Sequence, residues 1–146
     1  MKGSLTIVGL GPGAPELVTP AVIDALKDST DIVGYSKYID RVKDASGKSF
    51  HPSDNREEID RAELSINLAL QGKKVVVVSS GDPGVFAMAS AIFEVVDKKN
   101  ISIDDLSIVV LPGITALLAA SARLGAPIGH DSVLLICLII LNLGIF

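Results

Sequence analysis

The residues best able to do chemistry in this chain fall in three short segments: GLGPG at 9–13, SSGDPG at 79–84 and LPGITA at 111–116. Each joins glycine, which lets a ligand approach the backbone, to proline, which stiffens the turn. Each also closes an apolar run of the kind that forms a strand. One such loop is ordinary turn chemistry. Three leaving one edge of a parallel sheet make a crevice, the place where open α/β sheets bind ligands. Asp82, between Gly81 and Pro83, has two readings. It is a helix N-cap with Pro83 at the first helical position, or a carboxylate facing a hydroxyl or amine of a nucleoside-like ligand. Thr115 likewise either caps the last helix or offers its hydroxyl and backbone to a ligand.

Other chemistries fail on spacing. Gly9, Gly11 and Ala14 satisfy the dinucleotide pattern G-x-G-x-x-G/A, but that site also needs an acidic residue at the end of the second strand. The second strand ends in Tyr35 and Ser36, Asp31 lies at its wrong end, and Pro12 disturbs the turn. A nicotinamide site is therefore not expected. GKS at 47–49 lacks the first glycine of a phosphate loop, because that position is Val42. His51 and His130 have no histidine or cysteine partner at ligand spacing, so no zinc site is expected. No Ser-His-Asp set can be assembled. Tyr35 and Tyr38, with Lys37, Arg41, Lys43 and Lys48, form a mildly basic aromatic segment in an acidic protein. It reads either as solvated surface or as a landing site for a polycarboxylate substrate.

The elements that must position these loops follow from the apolar pattern. Strands are expected at 4–9, 31–35, 73–80 and 105–113, the last two buried on both faces. Helices are expected over 14–28, 56–72, 85–99 and 115–125, and the polar stretch 44–55 reads as a loop. Strand and helix alternate, so the fold class is α/β: a parallel sheet with helices on both faces. The 146 residues fit one domain, and a composition 49% hydrophobic but 4% aromatic makes the core aliphatic. A net charge of −4 with both signs interspersed gives no nucleic-acid footprint. The single cysteine, Cys137, excludes an internal disulfide and fits a reducing, cytosolic setting. MKGSLTIVG is too short an apolar stretch for a signal peptide, so the chain reads as mature from residue 1.

Taken together, VGLGPGAPELVTPAV, DIVGYSKYI, REEIDRAELSINLALQGKKVVVVSSGDPGVFAMAS and VVLPGITALLAASARLGAPIGHD resemble the tetrapyrrole (corrin and porphyrin) methylases over residues 1 to about 131. SSGDPGVFAMA and GYSKYI resemble the branch that methylates C17 of a corrin precursor and couples this to ring contraction. The resemblance implies a two-domain protein of cobalamin synthesis that dimerises in its full-length form. It implies S-adenosylmethionine as methyl donor, bound between the domains, and a precorrin or cobalt-precorrin substrate. It places Pro12, Ser80, Gly81, Asp82, Val85, Thr115 and Ala116 at the family's cofactor-contacting positions. Relatives acting on uroporphyrinogen carry an aspartate where this chain has Ser36, so no catalytic residue is assigned. Neither a nucleic acid nor a membrane is an implied partner. Another precorrin or cobalt-factor methylase of this fold and a non-catalytic binding fragment are the rival readings.

The ending, SVLLICLIILNLGIF at 132–146, departs from this pattern. Val133 to Phe146 is shorter than the ~20 residues a membrane-spanning helix needs. The resembling methylases continue after Gly-His-Asp with a stretch like FCVISLSDLLTPW and then a second domain. Restoring one base after the codon for Asp131 lets allowed codons read DFCVINLSDNTKPWD. The expectation is therefore an N-terminal methylase domain over 1–131, an out-of-frame tail over 132–146, and a missing second domain.

Overall fold

β-branched runs set four of the five strands of this chain. The computed structural model describes residues 3–43, 47–54, 56–102 and 104–129. In chain order its elements are β1 (Ser4–Gly9), α1 (Pro20–Asp28), β2 (Asp31–Tyr35), α2 (Ser36–Ile39), β3 (Ser49–Ser53), α3 (Glu58–Leu70), β4 (Lys74–Ser79), α4 (Met88–Lys98), β5 (Ser107–Leu111) and α5 (Ala116–Leu124). The five strands form one sheet in the order β3-β2-β4-β1-β5, and every pairing is parallel. From β1 the chain builds outward through β2 to β3; from β4 it turns the other way to β5. The order therefore reverses between β1 and β4, where Gly9 pairs with Ser79. That reversal is the position at which open α/β sheets bind ligands.

Side-chain alternation divides the core into two layers. Leu5, Ile7, Val33, Val75 and Val77 meet Ala62, Ile66 and Ala69 of α3 and Ile92 and Val95 of α4. Val8, Ile32, Val76 and Val78 face the other way, towards Val22 of α1 and Ile39 of α2. The four consecutive valines of β4 are thus buried from both sides, as the run KKVVVVSS implies. Full burial of such a side chain is worth about 1.5–3 kcal/mol, which makes β4 the central seam.

Three local expectations are corrected. The helix expected over 14–28 starts at Pro20, because Thr19 caps it and precedes a proline; Pro15–Leu17 form only a single 3-10 turn. The polar stretch 44–55 contains β3, an edge strand whose Pro52 is tolerated because no further strand needs its N–H. The expected strand at 105–113 is not buried on both faces: β5 is the other edge, and Val109 is 46% exposed. The basic aromatic segment includes the short helix α2. The boundary at 131, the 132–146 tail, His130 and Cys137 lie outside the described residues. Among the described residues no helix is long and apolar enough to cross a membrane.

Candidate functional site

The three loops do more than share an edge; their backbones interlock. Leu10 N–H donates to Ser79 O at 2.8 Å. Gly81 N–H then donates to Gly11 O at 2.9 Å, and Gly11 N–H returns to Gly81 O at 3.2 Å. The third loop enters at Gly113. A Cβ on Gly9 would run into the Gly81 carbonyl oxygen and come within 2.9 Å of Gly113 Cα. A Cβ on Gly113 would meet the same oxygen and Gly9 Cα at 2.9 Å. Only glycine permits this approach from two sides. Gly81 itself has φ +60° and lies against the start of α5, with Thr115 Cα 3.6 Å from where its Cβ would be. The result is a floor of bare backbone at the point where the strand order reverses.

Asp82 fastens this floor. Its Oδ1 accepts from Gly84 N–H at 2.8 Å, and its Oδ2 accepts from Gly113 N–H at 2.9 Å. It does not cap a helix, since α4 starts at Met88 and Ala87 stands at its N-cap. Thr115 does cap: its Oγ1 accepts from Leu118 N–H at 3.2 Å. Ala116 is the first residue of the same helix. Pro12 stands with Ala14, Leu17, Ile114 and Leu118 around a groove of about 510 Å³ between the first loop and α5. Ser80 is half-buried beside Gly81. The fold thus gathers Pro12, Ser80, Gly81, Asp82, Thr115 and Ala116 around one floor. Val85 is held only at its backbone, donating to Asp82 O at 3.2 Å, with its side chain 46% exposed. Its neighbour Phe86 has φ +50° and is 94% exposed, a strained and solvated aromatic at the lip of the site.

The basic aromatic segment is partly solvated surface and partly tied to the rest of the chain. Arg41 donates to Leu10 O at 2.6 Å, Gly11 O at 3.4 Å and Gly13 O at 3.5 Å. It therefore braces the first loop from thirty residues away. Burial lowers its pKa from the ordinary arginine value, and nearby Tyr38 partly offsets this. Lys48 Nζ donates to Lys27 O and Ser29 O, each at 2.7 Å, and Lys43 pairs with Asp40 at 3.1 Å. Three of the four cations are thus committed to the chain itself. Arg41 and Lys48 line a larger groove of about 780 Å³ beside α1, on the far side of the first loop. Tyr35 and Tyr38 meet edge to face at 5.2 Å.

Two further groups were not foreseen. Arg61 is buried, donating from Nε to Ser53 Oγ at 2.7 Å, from Nη2 to Asp54 O and from Nη1 to Met88 Sδ at 3.3 Å. Burial lowers its pKa, an effect partly offset by Glu58 and Glu57. Asp31, buried at the start of the interior strand β2, at the end of the sheet away from the three loops, accepts from His51 Nε2 and from Thr30 Oγ1, both at 2.8 Å, with Lys73 Nζ at 3.7 Å. Burial alone would raise its pKa; those hydrogen bonds and positive charges outweigh it and hold the carboxyl below its ordinary 3.8. Among the described residues no group of three or more His, Cys, Asp or Glu could hold a metal ion.

The family model for tetrapyrrole (corrin/porphyrin) methylases matches residues 4–142. A precorrin-3B C(17)-methyltransferase from Sinorhizobium sp. is 45% identical over 131 residues, covering 90% of this chain and 52% of that protein. The crystal structure of the methyltransferase CobJ superposes with a TM-score of 0.84 at 53% identity, over 90% of this chain and 54% of that one. The uroporphyrin-III C-methyltransferase of Thermus thermophilus, solved with S-adenosylhomocysteine, gives a TM-score of 0.69 at 26% identity, over 89% of this chain and 55% of that one. The chain spans about half the length of these proteins.

Proposed function

Because the chain belongs to the tetrapyrrole (corrin/porphyrin) methylase family, we propose that its three-loop floor is part of an S-adenosylmethionine site. The reaction it serves is methyl transfer to C17 of a precorrin with ring contraction, in cobalamin synthesis. The observation that carries this reading is the 45% identity to the Sinorhizobium C17 enzyme across 90% of the chain. The S-adenosylhomocysteine bound to the Thermus relative supports the cofactor class. Pro12, Ser80, Gly81, Asp82, Val85, Thr115 and Ala116 are the proposed contacts. The missing Cβ atoms of Gly9, Gly81 and Gly113 let the three loops close against one another; the nucleoside lies along the edge they form, and the methyl then moves by direct displacement from sulfonium to a ring carbon. That step depends chiefly on alignment and on exclusion of water. The full-length protein is a cytoplasmic homodimer in this reading, and the 132–146 tail is out of frame, which resequencing across codon 131 tests.

Titrating the 146-residue chain with S-adenosylhomocysteine in a calorimeter tests the site. Saturable binding is expected, and it weakens at least tenfold in Gly81→Val, whose side chain would need φ +60° against Thr115. An absence of binding in the unsubstituted chain at millimolar ligand overturns the assignment. Because the chain spans about half of its relatives, a second reading follows: these residues bind the nucleoside without turning it over. Affinity without methylated product favours that reading.

A further inference from the structure

We infer that Asp82 is a positioning residue that acts on the ligand through the loops it holds together. This inference rests on the proposed S-adenosylmethionine site. Both carboxylate oxygens bind loop backbone: Oδ1 accepts from Gly84 N–H within its own loop, and Oδ2 accepts from Gly113 N–H in the loop after β5. The second bond joins segments 31 residues apart. It holds Gly113 in the position where a Cβ would strike Gly81 and Gly9. On its other side Asp82 O accepts from Val85 N–H at 3.2 Å, and Pro83 O accepts from Ala89 N–H at 3.0 Å, which carries the link into α4. Asp82 thereby ties α4 to the residues that start α5. Without the carboxylate, the half-buried Gly113 N–H faces another loop with no acceptor, and an unmade bond of this kind is costly. An asparagine keeps the shape but supplies a single acceptor, so one of the two N–H groups would face an NH₂ donor.

The test is a chemical double-mutant cycle on the whole chain. S-adenosylhomocysteine and analogues lacking its 2′-hydroxyl, its 3′-hydroxyl or its amino group are titrated into the chain and into Asp82→Asn. A strap predicts that D82N weakens every ligand by the same factor, about tenfold, with each analogue's own loss unchanged to within about twofold. One analogue that D82N does not weaken further identifies the group Asp82 contacts directly, and overturns the inference. In parallel, amide exchange of Gly84 and Gly113 should quicken at least tenfold in D82N while Val77 and Val78 keep their protection. Unchanged exchange at Gly113 overturns the strap. Should D82N fail to fold, a through-hydrogen-bond coupling from Gly113 nitrogen to the Asp82 carboxyl carbon, sought in the unsubstituted chain, decides the point: its presence supports the strap and its absence overturns it. If the unsubstituted chain binds no S-adenosylhomocysteine, the site assignment fails while exchange and coupling still decide the strap.

Discussion

A carboxylate's role in this protein is set by what reaches it across the fold, and Asp31 is the case with a measurable consequence. It lies buried under His51, Thr30 and Lys73, and its pKa is held below the ordinary 3.8. The sign follows from linkage. A depressed folded-state pKa contributes stability that is complete above pH ~4 and is lost as the pH falls through the folded value. Asp31→Asn should therefore cost about 2 kcal/mol at pH 7 and flatten the acid limb of stability below pH ~4, read by urea titrations across pH 2–7. A variant whose loss is the same at every pH in that range would refute the account. Sequence spacing saw only that Asp31 stood at the wrong end of its strand for a ribose. The pairing with His51 depends on β3, which its polar sequence hid.

Among the elements, the loops form the floor and the strands only aim them. Because Gly9, Gly81 and Gly113 meet backbone to backbone, a single methyl should matter more here than in the core. Gly113→Ala forces a Cβ onto the Gly81 carbonyl and Gly9. It should cost about 2–3 kcal/mol and abolish S-adenosylhomocysteine binding. Gly129→Ala, whose Cβ would meet nothing within 4 Å, should stay within about 0.5 kcal/mol. Urea denaturation of both variants checks the contrast, and equal losses would refute the interlocked floor. The glycine-proline composition of the three loops was legible in the sequence. The contact among Gly9, Gly81 and Gly113 was not, because it depends on strands β1, β4 and β5 being neighbours.

At the scale of the molecule, 146 residues match about half the length of their methyltransferase relatives. The described residues supply a floor and one lip, with Val85 and Phe86 standing in solvent. Methyl transfer needs the acceptor carbon held about 3–3.5 Å from the sulfonium methyl in a dry site. The chain by itself should accordingly yield no methylated tetrapyrrole above background in a single-turnover experiment with labelled S-adenosylmethionine. Robust methylation of a precorrin by the purified 146 residues would overturn this.

By itself the sequence determined the α/β class, the continuous burial of β4 and the three loops at one edge. These depend on local periodicity and on the backbone limits of glycine and proline, which act within a few residues. The tertiary structure decided that Arg41 braces the first loop, that Asp82 is bonded to Gly113, and that a polar stretch pairs as β3 while an apolar one lies half open as β5. Each of these depends on which strands become neighbours, a choice made by packing across the whole sheet and not by any stretch of chain alone.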